Sequence, residues 1–94
     1  MDTGQAIKTL RIKAGLTQEQ LAERCGMSVS GLSYLETGRS VPPKATIEKL
    51  CAALAIPTSY FLLTSIEESD IPEEKRVLYR ALLEPLRNEL LDSK

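Results

Sequence analysis

The chain has 94 residues, 43 % of them apolar, which makes one domain around a modest core. The net charge of −1 and pI near 5.5 argue against a protein that coats nucleic acid by bulk charge alone. No His and two Cys exclude a four-ligand zinc site built from Cys and His, and no run approaches the length of a membrane span.

Leu, Ala and Ile supply most of the apolar content, and nothing alternates apolar with polar over a strand's length, so the fold class is all-α. The N-terminus, MDTGQAIKTL, lacks an apolar stretch after a basic start and does not read as a signal peptide, so the protein is expected in the cytoplasm. A first helix is predicted over residues 3–14. Thr3 is placed to cap it, and Ala6, Ile7, Leu10 and Ala14 recur at helical spacing. Gly15 stands where a left-handed terminating residue belongs.

Thr17 opens the second helix, and Gln20 three residues on completes a capping-box pattern. Leu21, Ala22 and Cys25 form its inward stripe, and Gly26 ends it. Ser28 caps a third helix over residues 29–37, with Leu32 and Leu35 inward and Gly38 as its stop. Gly31 in the first turn costs about 1 kcal/mol against Ala. A close backbone or a phosphate brought near would justify that cost.

Residues 39–43 form a loop stiffened by Pro42 and Pro43. A fourth helix follows over residues 44–54 with Ile47, Leu50, Cys51 and Leu54 inward, and a fifth over residues 58–63 with Phe61 and Leu62 as core anchors. Cys25 and Cys51 sit at apolar-periodic positions and read as small buried hydrophobes. Residues 64–70, TSIEESD, are a short acidic connector. A last helical segment starts near Pro72, with Glu73 and Glu74 near the positive end of its dipole. Pro85 cannot donate its N–H and crowds the carbonyl of Ala81, so a kink or restart is predicted there.

Function enters at residues 17–38, TQEQLAERCGMSVSGLSYLETG. Two short helices joined by a glycine turn are a small protein's means of placing one helix in the DNA major groove. Charge supports this unevenly. Residues 1–50 carry seven basic and five acidic side chains and residues 51–94 five basic and eight acidic, so the halves stand at +2 and −3. The positive half holds the reading helix. Val29 suits a thymine methyl, Ser30 and Ser33 suit any base, and Tyr34 reaches a base or phosphate through its hydroxyl. No Gln, Asn or Arg stands at the front of the third helix, so the bidentate base contacts are missing. Phosphate clamping and DNA shape are expected to carry much of the selectivity.

Residues 5–63 resemble the helix-turn-helix domain of the phage repressor and Cro type, the XRE family. The matching elements are a first helix carrying Arg11, then GLTQEQLAERCGMS, SGLSYLETGRSVPP and TIEKLCAALAIPTSYFLL. The resemblance implies a five-helix repressor-like domain over residues 1–64, followed by a connector and C-terminal helical extension over residues 65–94. It implies that Gln18 bonds a phosphate and that Ser28, Val29, Ser30, Ser33 and Tyr34 face bases or nearby phosphates. Arg39, Lys44 and Thr46 fall where such proteins grip the DNA backbone. It also pairs Arg11 with Glu36, a contact whose loss costs about 3–5 kcal/mol when well buried. Ala55 stands where relatives often have Gly, at a cost of about 1–2 kcal/mol if its backbone is left-handed.

These readings lead to a sequence-specific transcriptional regulator that binds a palindromic operator in double-stranded DNA as a homodimer. The extension is the candidate dimerisation element, through Leu78, Leu82, Leu86 and Leu90; the alternative is that it folds back on its own domain. A second function class is an antitoxin or protein-binding module, with the acidic connector and apolar tail meeting a protein partner. No cofactor and no metal are expected. An enzyme is not: the chain has no His, no glycine-rich phosphate loop and no carboxylate pair placed in a cleft.

Overall fold

The helices of the computed structural model begin and end where local chemistry lets them. The structure describes residues 1–92, so Ser93 and Lys94, the end of the expected 65–94 extension, lie outside the described residues. Helix α1 spans Thr3–Lys13. Its cap is Asp2, whose carboxylate accepts the Gln5 N–H at 3.0 Å, and not Thr3, which is buried. The charged carboxylate is the better N-cap, and its use frees Thr3 to enter the first turn.

Helix α2 spans Gln18–Cys25 behind the expected capping box. Gln20 N–H donates to Thr17 Oγ1 at 3.1 Å and Thr17 N–H to Gln20 Oε1 at 2.9 Å. Gly26 closes it with φ 67°. Helix α3 is Val29–Glu36, capped by Ser28 Oγ accepting from Gly31 N–H at 2.9 Å. Helices α4, Lys44–Leu54, and α5, Thr58–Ser65, both follow a proline and meet at 105°. The turn between them passes through Ala55 at φ 58°, ψ 42°. Among the described residues no single helix is long and apolar enough to cross a membrane.

Helix α1 packs against α3, α4 and α5, and α2 against α3 and α4. Ile7, Leu21, Leu32, Leu50 and Phe61 are fully buried at the centre. Cys25 and Cys51 are buried unpaired thiols. Burial pushes both thiol pKa values up, and for Cys25 the charge of Lys49 opposes it. Leu62 is not the expected core anchor: it is 43 % exposed, because Phe61, Thr64 and Ser65 take the inward side of α5. Gly4 marks a close approach of α1 to the end of α3. A Cβ there would stand 2.7 Å from the Leu35 carbonyl oxygen and 2.9 Å from both the Glu36 carbonyl oxygen and the Gly38 nitrogen.

Beyond α5 come two 3-10 turns, Glu68–Asp70 and Glu73–Lys75, then α6 over Arg76–Leu78. A π segment over Tyr79–Leu83 leads into α7, Glu84–Asp92. Of the kink or restart expected at Pro85, the structure shows the restart: α7 begins at Glu84, directly after the π segment. The adjustment lies one turn earlier, where Glu84 N–H reaches back five residues to the Tyr79 carbonyl. The wider π winding absorbs the register in which a Pro85 N–H would have donated.

This extension folds back on the first five helices. Tyr60 donates to the Leu90 carbonyl at 2.8 Å, and Lys13 Nζ donates to the carbonyls of Leu90 and Leu91. Arg87 donates to the Ile66 carbonyl at 3.1 Å, Tyr79 is buried, and Leu91 packs on the core. Leu90, one of the four expected dimerisation residues, is half-buried, and its carbonyl is taken by Tyr60 and Lys13. Leu78, Leu82 and Leu86 stay exposed.

Candidate nucleic-acid interface

Leu32 and Leu35 fix the orientation of α3, because burying residues three apart turns the remaining positions outward. Val29, Ser30, Ser33 and Tyr34 line one side of a shallow open groove of about 490 Å³, with Gln18, Thr37 and Arg39 completing it. Val29 is 40 % and Tyr34 48 % exposed. The groove thus combines an apolar contact, three hydroxyl-bearing side chains on α3 and its C-cap, a phenol and, among the described residues that line it, a single charge on Arg39.

Behind the groove lies the pair that locks α3 to α1. Arg11 Nε donates to Glu36 Oε2 at 2.7 Å and Arg11 NH2 to Glu36 Oε1 at 3.1 Å. The third Arg11 bond goes to the Leu16 carbonyl at 2.9 Å. The two side chains are 11 % and 4 % exposed. Such a bidentate pair fixes geometry as well as charge.

The structure brings six of the nine expected contact residues to this groove and gives two positions a different emphasis. Gln18 lines it, but its Nε2 already donates to Glu36 Oε1 at 3.1 Å, so it extends the Arg11–Glu36 cluster to the groove's edge. Its second amide hydrogen remains for a phosphate. Ser28 lies at the start of α3 with its oxygen engaged as the cap, leaving its O–H as the group for an outside acceptor. Lys44 and Thr46 do not line this groove. Lys44 is exposed and borders a separate hollow with Ile47, Glu48, Thr58 and Leu62, and Thr46 is half-buried in the first turn of α4.

Gly31 meets no close backbone; an added Cβ would stand 3.0 Å from the capping Ser28 Oγ. Sequence reasoning missed Thr37, which lines the groove and donates to the Tyr34 carbonyl at 2.6 Å. Its position four after Ser33 and three after Tyr34 was the available signal. Among the described residues no three His, Cys, Asp or Glu side chains gather to hold a metal ion.

Comparison with known proteins supports the helix-turn-helix fold. A family described as "Helix-turn-helix domain" matches residues 3–59. The HTH-type transcriptional repressor RghR of Bacillus subtilis is 47 % identical over 57 % of this chain and 41 % of its own length. The immunity repressor protein of Bacillus phage phi105 is 40 % identical over 80 % of this chain and 50 % of its own. The competence pilus inhibition repressor of Acinetobacter baylyi is 38 % identical over 67 % of this chain and 57 % of its own. The chain spans about half the length of these relatives.

Proposed function

The chain belongs to the XRE-type helix-turn-helix family of transcriptional regulators, and from that premise we propose that it binds a palindromic operator in double-stranded DNA as a homodimer. The carrying observation is the outer face of α3. Its side chains line one open groove together, while the helix behind them is held by the buried Arg11–Glu36 pair. A helix presented in this way enters the major groove with its N-terminal turn first, so Val29 and Ser30 meet base edges before Ser33 and Tyr34. Arg39, Lys44 and Gln18 then hold phosphates, which sets register and supplies most of the affinity. One helix covers few base pairs, and two copies about 34 Å apart read both halves of a symmetric site.

Selection of bound duplexes from a random library tests this. The expected product is a two-fold consensus with half-sites about one helical turn apart. Ser30→Ala and Tyr34→Ala should change that consensus. A single unpaired half-site would overturn the homodimer reading. Failure to enrich any duplex at low ionic strength would overturn DNA binding.

A second reading, an antitoxin or other protein-binding module, is favoured by the exposed Leu78, Leu82 and Leu86. It requires a co-purifying partner seated on that stripe and weak DNA binding by the chain alone.

A further inference from the structure

We propose that two copies of this chain pair antiparallel through the outer faces of their C-terminal helices, with the two-fold axis at Leu82. This rests on the homodimer reading above and specifies its contact. Leu78, Leu82 and Leu86 are 59 %, 66 % and 50 % exposed. The helix that carries them is already held to its own domain from another side, by Tyr79, Arg87 and the Leu90 and Leu91 carbonyls. The stripe is therefore surplus to the fold. Residues four apart drift around a helix of 3.6 residues per turn, and the wider winding of the π segment over Tyr79–Leu83 brings the three leucines closer to a straight line. Beside them runs an apolar groove of about 220 Å³ lined by Ile71, Lys75, Leu78, Tyr79, Leu82 and Leu83.

Charge identifies the occupant. In an isologous contact, residue i of one copy meets residue j of the other, and the reverse. An axis at Leu82 opposes positions equally distant from it. Leu82 then meets the partner's Leu82, and Leu78 meets the partner's Leu86. Lys75 and Glu89, both exposed, lie seven residues before and after Leu82. Lys75 lines the same groove as Leu78 and Leu82, and Glu89 stands about two turns beyond Leu82, so Lys75 meets the partner's Glu89. A parallel pairing would set Lys75 against Lys75 and Glu89 against Glu89. The same groove that receives the partner's Leu86 has Lys75 on its wall, where the partner's Glu89 follows one turn later. From Lys75 to Glu89 the contact covers roughly 20 Å and falls short of the about 800 Å² per partner of a standard interface. The pair is therefore weak alone and is completed when an operator holds two copies together.

Cysteine substitution in the full chain tests the geometry, since Cys25 and Cys51 are buried and the stripe residues are exposed. Leu82→Cys should link to itself under mild oxidation. Leu78→Cys alone should not, because its copies lie about 12 Å apart along the helix, but a mixture of Leu78→Cys and Leu86→Cys chains should. By sedimentation, Lys75→Glu or Glu89→Lys should each weaken dimerisation about tenfold, and the two together should restore it. Leu78→Cys linking to itself as readily as Leu82→Cys, or charge reversals that only add, would overturn the antiparallel pairing. A chain that sediments as a dimer without these links pairs elsewhere: this proposal then fails and the homodimer reading stands. A chain that stays monomeric at high concentration and on operator DNA overturns both.

Discussion

The outer faces of α3 and of the C-terminal helix are both open to solvent, but their chemistry is opposite. On α3 the exposed groups are mostly hydroxyls, which water satisfies without cost. The helix carrying them is fixed by a nearly buried ion pair and by the close approach of Gly4. On the C-terminal helix the exposed groups are leucines, each of which gains about 1.5–3 kcal/mol when covered. That helix is held by bonds to the Leu90, Leu91 and Ile66 carbonyls rather than by a buried charge pair. The first face is a finished surface on a rigid mount. The second, under the pairing proposed above, is half of an interface on a lighter one.

The strongest way to break this contrast is to remove the mount of α3. Glu36→Ala leaves Arg11 nearly buried without its counter-charge, and the expected loss is about 3–5 kcal/mol of stability. Denaturant unfolding measures it. A loss below about 1 kcal/mol would mean that the pair behaves like a surface contact and does not hold α3. The corresponding test on the lighter side, Tyr60→Phe, removes a single bond to the Leu90 carbonyl and should cost about 0.5–1.5 kcal/mol.

Gly4→Ala is next in size. The new methyl would meet two carbonyl oxygens and a backbone nitrogen under 3.0 Å away. Backbone cannot rotate aside as a side chain does, so α1 and α3 must part, at about 1–3 kcal/mol. Because α3 moves, DNA affinity should fall along with the melting temperature. Unchanged affinity in a destabilised variant would show that the reading helix is positioned by the ion pair alone.

Gly4 also shows where sequence reading stops. The caps at Thr17 and Ser28, the terminating Gly26 and the inward stripes of α2 and α3 are all written in residues within one turn of each other, and they were legible. So was the Arg11–Glu36 pair, through the family resemblance. Gly4 looks like any first-turn glycine, because the backbone it must clear lies more than thirty residues away. The choice of Asp2 over Thr3 as cap turned on which neighbour the core would claim. Pro85 signalled a disturbed helix correctly, but its neighbours do not say whether the chain kinks there or widens beforehand. Of the groove, the α3 side was legible from helical spacing. The departure of Lys44 from it was not, since that depends on how the loop before α4 swings.

Arg39→Ala should leave stability within about 0.5 kcal/mol, since Arg39 is exposed. Its effect belongs to binding: affinity should fall for all sequences alike, and the slope of log affinity against log salt should drop by about one. An unchanged slope would remove Arg39 from the phosphate contacts and leave Lys44 and Gln18 to carry them.

The smallest effect should be a gain. Ala55 is exposed and turns at φ 58°, a left-handed conformation that costs a non-glycine residue about 1–2 kcal/mol. Ala55→Gly removes that strain but enlarges the freedom of the unfolded chain, which returns about 0.5–1 kcal/mol. The expected net gain is about 0.5–1 kcal/mol, a rise of several degrees in melting temperature for a domain of this size. Operator affinity should not change, because the turn joins α4 to α5 and contributes nothing to the groove that α3 lines. A gain in stability accompanied by weaker DNA binding would mean that the strain at Ala55 helps to set the α4 end of the interface. The polar face would then depend on more than the Arg11–Glu36 mount.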